Sequence, residues 1–245
     1  MGNVYGGGWA QRNGTSVVGN VDITVSGGTV ANIFGGGSTS TSGGATVTGD
    51  VTITVDGGSI TGAIYAMGQG GNDSVEGDVS VTFRGANDYV CGVYGYSYVG
   101  GAASEATLSF TGYTGKFSGR IGGFAGITFS ADTAMELGTA AAHVSNYVWN
   151  FDVSARDADL SDTAMLDWHA ANFAGDTIVL NLASGSTAAW TLVDAAATTA
   201  YGEFDVRIDG VSQGTLELGD QLASGEFAGW GFTIEDTVLK FKNLA

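Results

Sequence analysis

The sequence contains no proline and a single cysteine, and only 8 of its 245 residues are Lys or Arg. Each shortage excludes something. Proline removes a donor from a strand ladder, so its absence fits a body made of hydrogen-bonded strands. Without proline or a strict Gly-X-Y period the chain is not collagen-like. With Cys91 alone, no intramolecular disulfide exists. Cys91 lies in "YVCGVYG" and reads as a small core residue, with no His or Lys beside it in sequence to activate a thiol. The scattered bases stand against 25 acids, for a net charge of −17. That balance excludes DNA or RNA backbone as a partner. Solubility accounts for the acidity, and a surface of divalent-cation sites is the sharper alternative. No apolar run reaches the ~18 residues of a membrane-spanning helix. The opening "MGNVYGGGWAQ" lacks the basic start and long apolar stretch of a signal peptide. It already lies inside a repeat, as expected if Met1 was added to a piece cut from a longer chain.

What the sequence does have is glycine, 42 residues of it, and a repeated line. "GNVDITVSGGTVANIFGGG" from Gly19 returns as "GDVTITVDGGSITGAIYAMGQG" from Gly49. An apolar-aromatic step occurs at Val4-Tyr5, Ile33-Phe34, Ile64-Tyr65 and Val93-Tyr94, with a weaker copy at Ile121-Gly122; the intervals are 29, 31, 29 and 28 residues. An alternating strand occurs as Val21, Ile23 and Val25, then as Val51, Ile53 and Val55, then as Val79, Val81 and Phe83. A fainter copy is Ala106, Leu108 and Phe110. A third landmark after the turn is Val30, Ile60, Val90 and Phe117. Period-two alternation puts these apolar residues on one side. No such unit can bury its apolar face alone, and equal spacing stacks like on like. The expected fold is therefore an all-β parallel β-helix of roughly 28–31-residue coils, with glycines serving tight turns. It carries interior ladders such as Val21/Val51/Val79, an aromatic ladder Tyr5/Phe34/Tyr65/Tyr94 and an outer threonine ladder Thr24/Thr54/Thr82. An antiparallel sandwich is the competing architecture, but it gives no reason for three parallel landmarks at one period.

From about Tyr147 the period fades, although strand-like runs such as "YVWNFDVSA", "DTIVLNLAS" and "GEFDVRIDG" continue. "DADLSDTAMLDWHAANF" reads as a short helical turn or a loop. A solenoid needs a cap over its last rung. The expected division is residues 1–146 as the repeat body and 147–245 as irregular β coils and a C-terminal cap, with large aromatics over the open end.

Units of the form "GDVTITVDGGSITGAIY", with "IFGGGS" loops over roughly residues 3–125, resemble the passenger regions of bacterial autotransporter adhesins. The stretch "AAWTLVDAA…GTLELGDQLASG…GWGFTIEDTVLKFKNL" resembles, more loosely, the capping region at the end of such passengers. No outer-membrane barrel sequence follows, which is a departure from the pattern. The resemblance implies an extracellular or cell-surface location and a role in display or adhesion. It supplies no catalytic residues.

β-helices also carry polysaccharide lyases and glycoside hydrolases, whose sites need a cationic base beside acidic calcium ligands or two carboxylates across a cleft. Arg84 falls where Ser26 and Asp56 fall in neighbouring coils and is expected to pair with Asp56 at the surface. Asp22 and Asp56 lie on adjacent coils but in different columns, unlike the paired carboxylates of a glycosidase. "GQGGNDSVEGD" touches a calcium-repeat pattern once and reads as a solvated loop. Asp157, Asp159 and Asp162 are the only weak candidates for a metal, calcium, and otherwise no cofactor is expected. They lack the glycine and terminal Glu of an EF-hand, which favours a charged surface loop. His143 and His169 have no neighbouring ligand partner for zinc. Outward threonines suggest ice binding, but Asp and Arg interrupt the flanking columns, and Thr is equally at home in a plain strand ladder. The expectation is a non-enzymatic stalk or adhesin segment. Its partners would be a host glycan or surface protein, met through loops such as Ser38–Ala45 and Tyr96–Glu105. Association with other copies, end to end or side by side, is compatible with exposed strand edges.

Overall fold

The computed structural model describes residues 2–10, 15–39, 44–70, 72–96, 106–138, 147–196 and 199–245. Parallel coils stack into a β-solenoid of about six turns, with equivalent positions about 28 residues apart. The strands Val21–Val30, Val51–Ile60 and Val79–Gly85 lie side by side. Their register is Val21↔Val51↔Val79, Ile23↔Ile53↔Val81 and Val25↔Val55↔Phe83. The inward residues Val51, Ile53, Val55, Val81 and Phe83 are completely buried. Thr24, Thr54 and Thr82 form the outer column that the alternation requires. At another corner Tyr5, Phe34, Tyr65 and Tyr94 stack with centroids 5.0, 5.5 and 5.1 Å apart and planes within 19° of parallel.

Two further columns lock coil to coil. In "GNV" and "GDV" the polar residue immediately precedes the long strand. Asn20 Oδ1 accepts the Asp50 amide (3.0 Å), and Asp50 Oδ1 accepts the Asp78 amide (2.9 Å). Asn3 and Asn32 do the same at the short strand: Asn3 Oδ1 accepts the Asn32 amide and Asn32 Oδ1 the Ala63 amide. Each side chain thus satisfies an amide that the turn would otherwise leave without an acceptor. The return loops stack backbone on backbone. A Cβ on Gly35 would stand 2.1 Å from Ala66 O, and one on Gly36 would stand 1.9 Å from Met67 O. These glycines are required by close approach between coils, not by a left-handed turn.

One landmark is displaced by a residue. Val90 is 79% exposed, whereas Tyr89 and Cys91 are buried, and Tyr89 bridges Phe117. Alternation counted back from buried Val93 puts Cys91 and Tyr89 inward, so Tyr89 takes the place expected for Val90.

The described residues divide into two compact units, one of residues up to 109 with 117–126, the other of 110–116 and all from 127 onward. In the second unit the parallel strands Val148–Asp152, Thr177–Leu182 and Glu203–Ile208 remain in register, through Trp149↔Ile178↔Phe204. Val211–Leu216 then returns antiparallel after a turn at Asp209-Gly210, whose φ values are 47° and 81°. On another face Met135–Leu137, Leu166–Trp168 and Trp190–Ala195 run parallel, and Val238–Asn243 and Trp230–Glu235 add antiparallel strands. Trp149, Trp168 and Trp190 are at most 3% exposed and fill this unit's interior rather than covering an end. Phe204 and Phe232 stack at 4.1 Å beneath the antiparallel strands. The "DADLSDTAMLDW" stretch holds a short 3-10 turn, Ala158–Leu160, and the strand Leu166–Trp168.

Replacing Gly36 by Ala should destabilise the fold by about 1–3 kcal/mol, because the obstructing atom is backbone and cannot swing aside. Gly27→Ala, where a Cβ meets nothing within 4 Å, should change stability by less than about 1 kcal/mol. Denaturant titration of both variants checks the contrast.

Candidate functional site

Where the hairpin Glu203–Ile208/Val211–Leu216 opens, the described residues line a cleft of about 860 Å3. Tyr201, Glu203, Leu216, Glu217, Leu218 and Asp220 contribute to its walls. The last cross-strand pair is Phe204↔Leu216, which leaves Glu203 and Glu217 just beyond it at the open end of the hairpin. Asp220 is held differently, with its Oδ2 accepting the Glu217 amide at 3.2 Å. Tyr201 is fixed from beneath by Phe173 (centroids 5.4 Å) and by Phe204 (6.1 Å). Burial, with the Asp194 carboxylate adding to it, pushes the Tyr201 phenol up to about 12. The hydroxyl therefore stays protonated and remains a hydrogen-bond donor across the physiological range. Leu218 is 43% exposed. The cleft offers carboxylate acceptors, one neutral phenol donor and apolar surface, a set suited to a ligand bearing hydroxyl or amine groups.

A second acidic feature follows from register. Glu136, Asp167 and Asp194 occupy one column on Met135–Leu137, Leu166–Trp168 and Trp190–Ala195. Neighbouring strands lie ~4.8 Å apart, so their charges oppose one another. Lys116 pairs with Glu136 at one end of the column. Thr237 Oγ1 donates to Asp194 Oδ1 (2.9 Å) at the other. His169 Nε2 lies 3.4 Å from Asp167 Oδ1, within ion-pair range but without a hydrogen bond. Desolvation raises the Asp167 carboxyl above its usual range; Asp194 and Glu136 add to the shift, while His169 and Lys116 oppose it.

The sequence-derived candidates separate in space and in role. Asp157 caps the 3-10 turn, its side chain accepting the Asp159 amide, and its own amide donates to Asp132. Asp159 and Asp162 are exposed. Among the described residues, no three Asp, Glu, His or Cys side chains converge as a metal ion would need. The organiser of this loop is Arg156, which is 6% exposed. Its guanidinium donates to the carbonyls of Ala131, Thr133, Leu160 and Thr163. Asp73 of the "GQGGNDSVEGD" stretch is buried, accepting the Ala45 and Gly70 amides. Arg84 and Asp56 are both exposed, and no ion pair joins them among the described residues. Asp56 is skipped in the register between Val25↔Val55 and Ser26↔Gly57, a bulge that breaks its column. Asp22 is exposed on the first long strand. Cys91 is buried, which pushes its thiol up to about 12 and leaves it unreactive. His143, residues 40–43 of the first loop and residues 97–105 of the second lie outside the described residues.

Sequence reasoning missed Asp176, which is 2% exposed and accepts the Tyr147 amide (2.9 Å) and Trp149 Nε1 (2.8 Å). Its signal was present: "GDT" at Gly175 repeats the "GDV" grammar of the first coils. The cleft had no comparable signal, because its walls come from a hairpin and from segments on either side of it.

Arg156→Ala should cost about 3 kcal/mol, since it orphans carbonyls that accept from a charged donor; calorimetric melting measures it. Asp167→Asn should raise Tm at neutral pH. A carboxyl raised in the folded state weakens the fold when ionised, and the penalty fades as acid protonates it. The gain should therefore shrink as pH falls. No family model, no curated protein and no solved structure matches the sequence.

Proposed function

We propose that the chain is a non-catalytic display module of a bacterial cell-surface or secreted protein, a β-solenoid stalk that holds a host glycan or surface protein. The observation that carries this reading is the coil-to-coil lock. Stacked rings at Tyr5, Phe34, Tyr65 and Tyr94 are joined to side chains that each accept an amide of the next coil. Nearly every repeated residue is committed to holding the coils together, as a scaffold requires. Contact with a partner then falls to the loops and to the cleft at Tyr201, where the repeat gives way.

One observation favours a second reading, a carbohydrate-active enzyme. Glu203 and Glu217 line one cleft with an aromatic ring, and two carboxylates at a cleft are what glycoside cleavage uses.

Glycan and host-protein arrays, read beside a reducing-end release assay on the bound polysaccharides, test both. The display reading expects binding without turnover, weakened at least about tenfold in Glu203→Gln/Glu217→Gln if the cleft is the contact. Turnover abolished by either single substitution establishes the enzyme instead. Failure to bind any arrayed surface overturns the adhesive role.

A further inference from the structure

The cleft at Tyr201 lies in the more acidic part of the chain. Residues 127–245 hold 17 Asp and Glu against four Lys and Arg, and Lys116 is the one further base of the second unit. All five of these bases are engaged within the fold. Lys116 pairs with Glu136, Arg207 with Asp205, and Lys240 and Lys242 share Glu235. Arg156 is enclosed among backbone carbonyls. No described Lys or Arg of this unit is left to meet an anion. A sialylated or sulfated glycan would find repulsion here and no counter-charge.

Several acids of the unit are answered from within. Asp176 accepts from Trp149, Asp194 from Thr237, and Asp205 from Arg207 and Ser212. Glu203 and Glu217 are not: among the described residues neither carboxylate has an ion pair or a hydrogen bond. Both line the cleft, beside Tyr201 and Leu218.

The frame that presents them is already ordered. The Glu203 amide donates to Asp176 O in the neighbouring coil (3.2 Å), and a Cβ on Gly202 would stand 2.0 Å from that same oxygen. The 217–220 turn is tied twice, with the Asp220 amide donating to Glu217 O (3.1 Å) and the Glu217 amide to Asp220 Oδ2 (3.2 Å). Tyr201 is stacked on Phe173. An ordered frame lowers the entropic cost of binding. At about 860 Å3 the cleft falls within the ~300–1,000 Å3 typical of ligand sites.

We propose that the cleft takes an unacetylated amino sugar, with the sugar's ammonium group bound by Glu203 and Glu217. The inference rests on the reading of this cleft as a glycan contact and names the class of sugar. An ammonium group brings three donors and a positive charge to carboxylates that no base of the fold answers. The protonated Tyr201 phenol donates to a sugar oxygen, and its ring with Leu218 offers apolar surface to the C–H face of the sugar. An N-acetylated sugar brings neither the charge nor the three donors.

Calorimetric titration of the whole chain with a tetramer of unacetylated glucosamine, and with the fully N-acetylated tetramer, tests the assignment. The unacetylated tetramer is expected to bind at least about tenfold tighter, and to loosen as salt rises. Glu203→Gln and Glu217→Gln should each weaken it about tenfold, and Tyr201→Phe, which keeps the ring, about threefold. Asp162→Asn, at an exposed acid outside the cleft, should leave it unchanged. Far-UV dichroism confirms the fold of each variant. Equal affinity for the two tetramers, or tighter binding of a sialylated glycan, overturns the inference and leaves the display reading standing. A loss in Asp162→Asn equal to that in Glu203→Gln reveals diffuse attraction to an acidic surface and overturns it as well. So does a lysine-rich peptide that binds the cleft more tightly than the sugar. Failure to bind either tetramer overturns the inference, while the display reading is decided by the arrays.

Discussion

Every amide of one coil needs a carbonyl on the next, and in a parallel stack it finds one only if equivalent residues stay level. From this requirement the columns follow. A column may be apolar inside, as at Val51 and Ile53, or hydroxylated outside, as at Thr54 and Thr82. It may also be absent altogether, as where Gly35 packs under the carbonyl of Ala66. The abundance of glycine and the absence of proline have the same origin. Proline would remove an amide from the ladder, and a Cβ in the return loops would hold the coils apart.

Register also explains which parts of the fold were legible. In the first coils the columns are filled by like residues, so stacking is visible as a period in the text. From Val148 on the stacking persists, but Trp149 lies on Ile178 and Ile178 on Phe204. Buried positions there share size and apolarity, not identity. Coil length changes as well, since 29 residues separate the first pair and 26 the second. A period sought in letters fades where a period in space does not. The displaced landmark has a similar cause: Val90 fits a β-branched pattern, but alternation within its own coil turns Tyr89 inward.

The candidate site was less legible because its chemistry arises from register and from chain reversal. Glu136, Asp167 and Asp194 are far apart in sequence and become a column only through strand pairing. Glu203 and Glu217 reach one cleft only because the turn at Asp209-Gly210 reverses the chain. The acidic residues that did cluster in sequence, Asp157, Asp159 and Asp162, diverge around a turn whose carbonyls are gathered by Arg156. Proximity in sequence is a weak guide on a surface where lateral neighbours are about 28 residues away.

The same geometry sets where acidity can be tolerated. Like charges in one column face each other at strand spacing, and each such contact weakens the stack unless a counter-charge or a donor intervenes. Lys116 and Thr237 serve the ends of the Glu136–Asp194 column and leave Asp167 at its centre with a raised carboxyl. In the first coils the ladder Asn20–Asp50–Asp78 begins with a neutral side-chain amide, and Asn20 and Asp50 each hand an oxygen to a backbone donor of the next coil. Asn20 makes the same bond to the next coil without adding charge to the column. The first coil is therefore low in charge, Asp22 and Arg12 being the only charged residues among the first 49, and still fully integrated into the ladder.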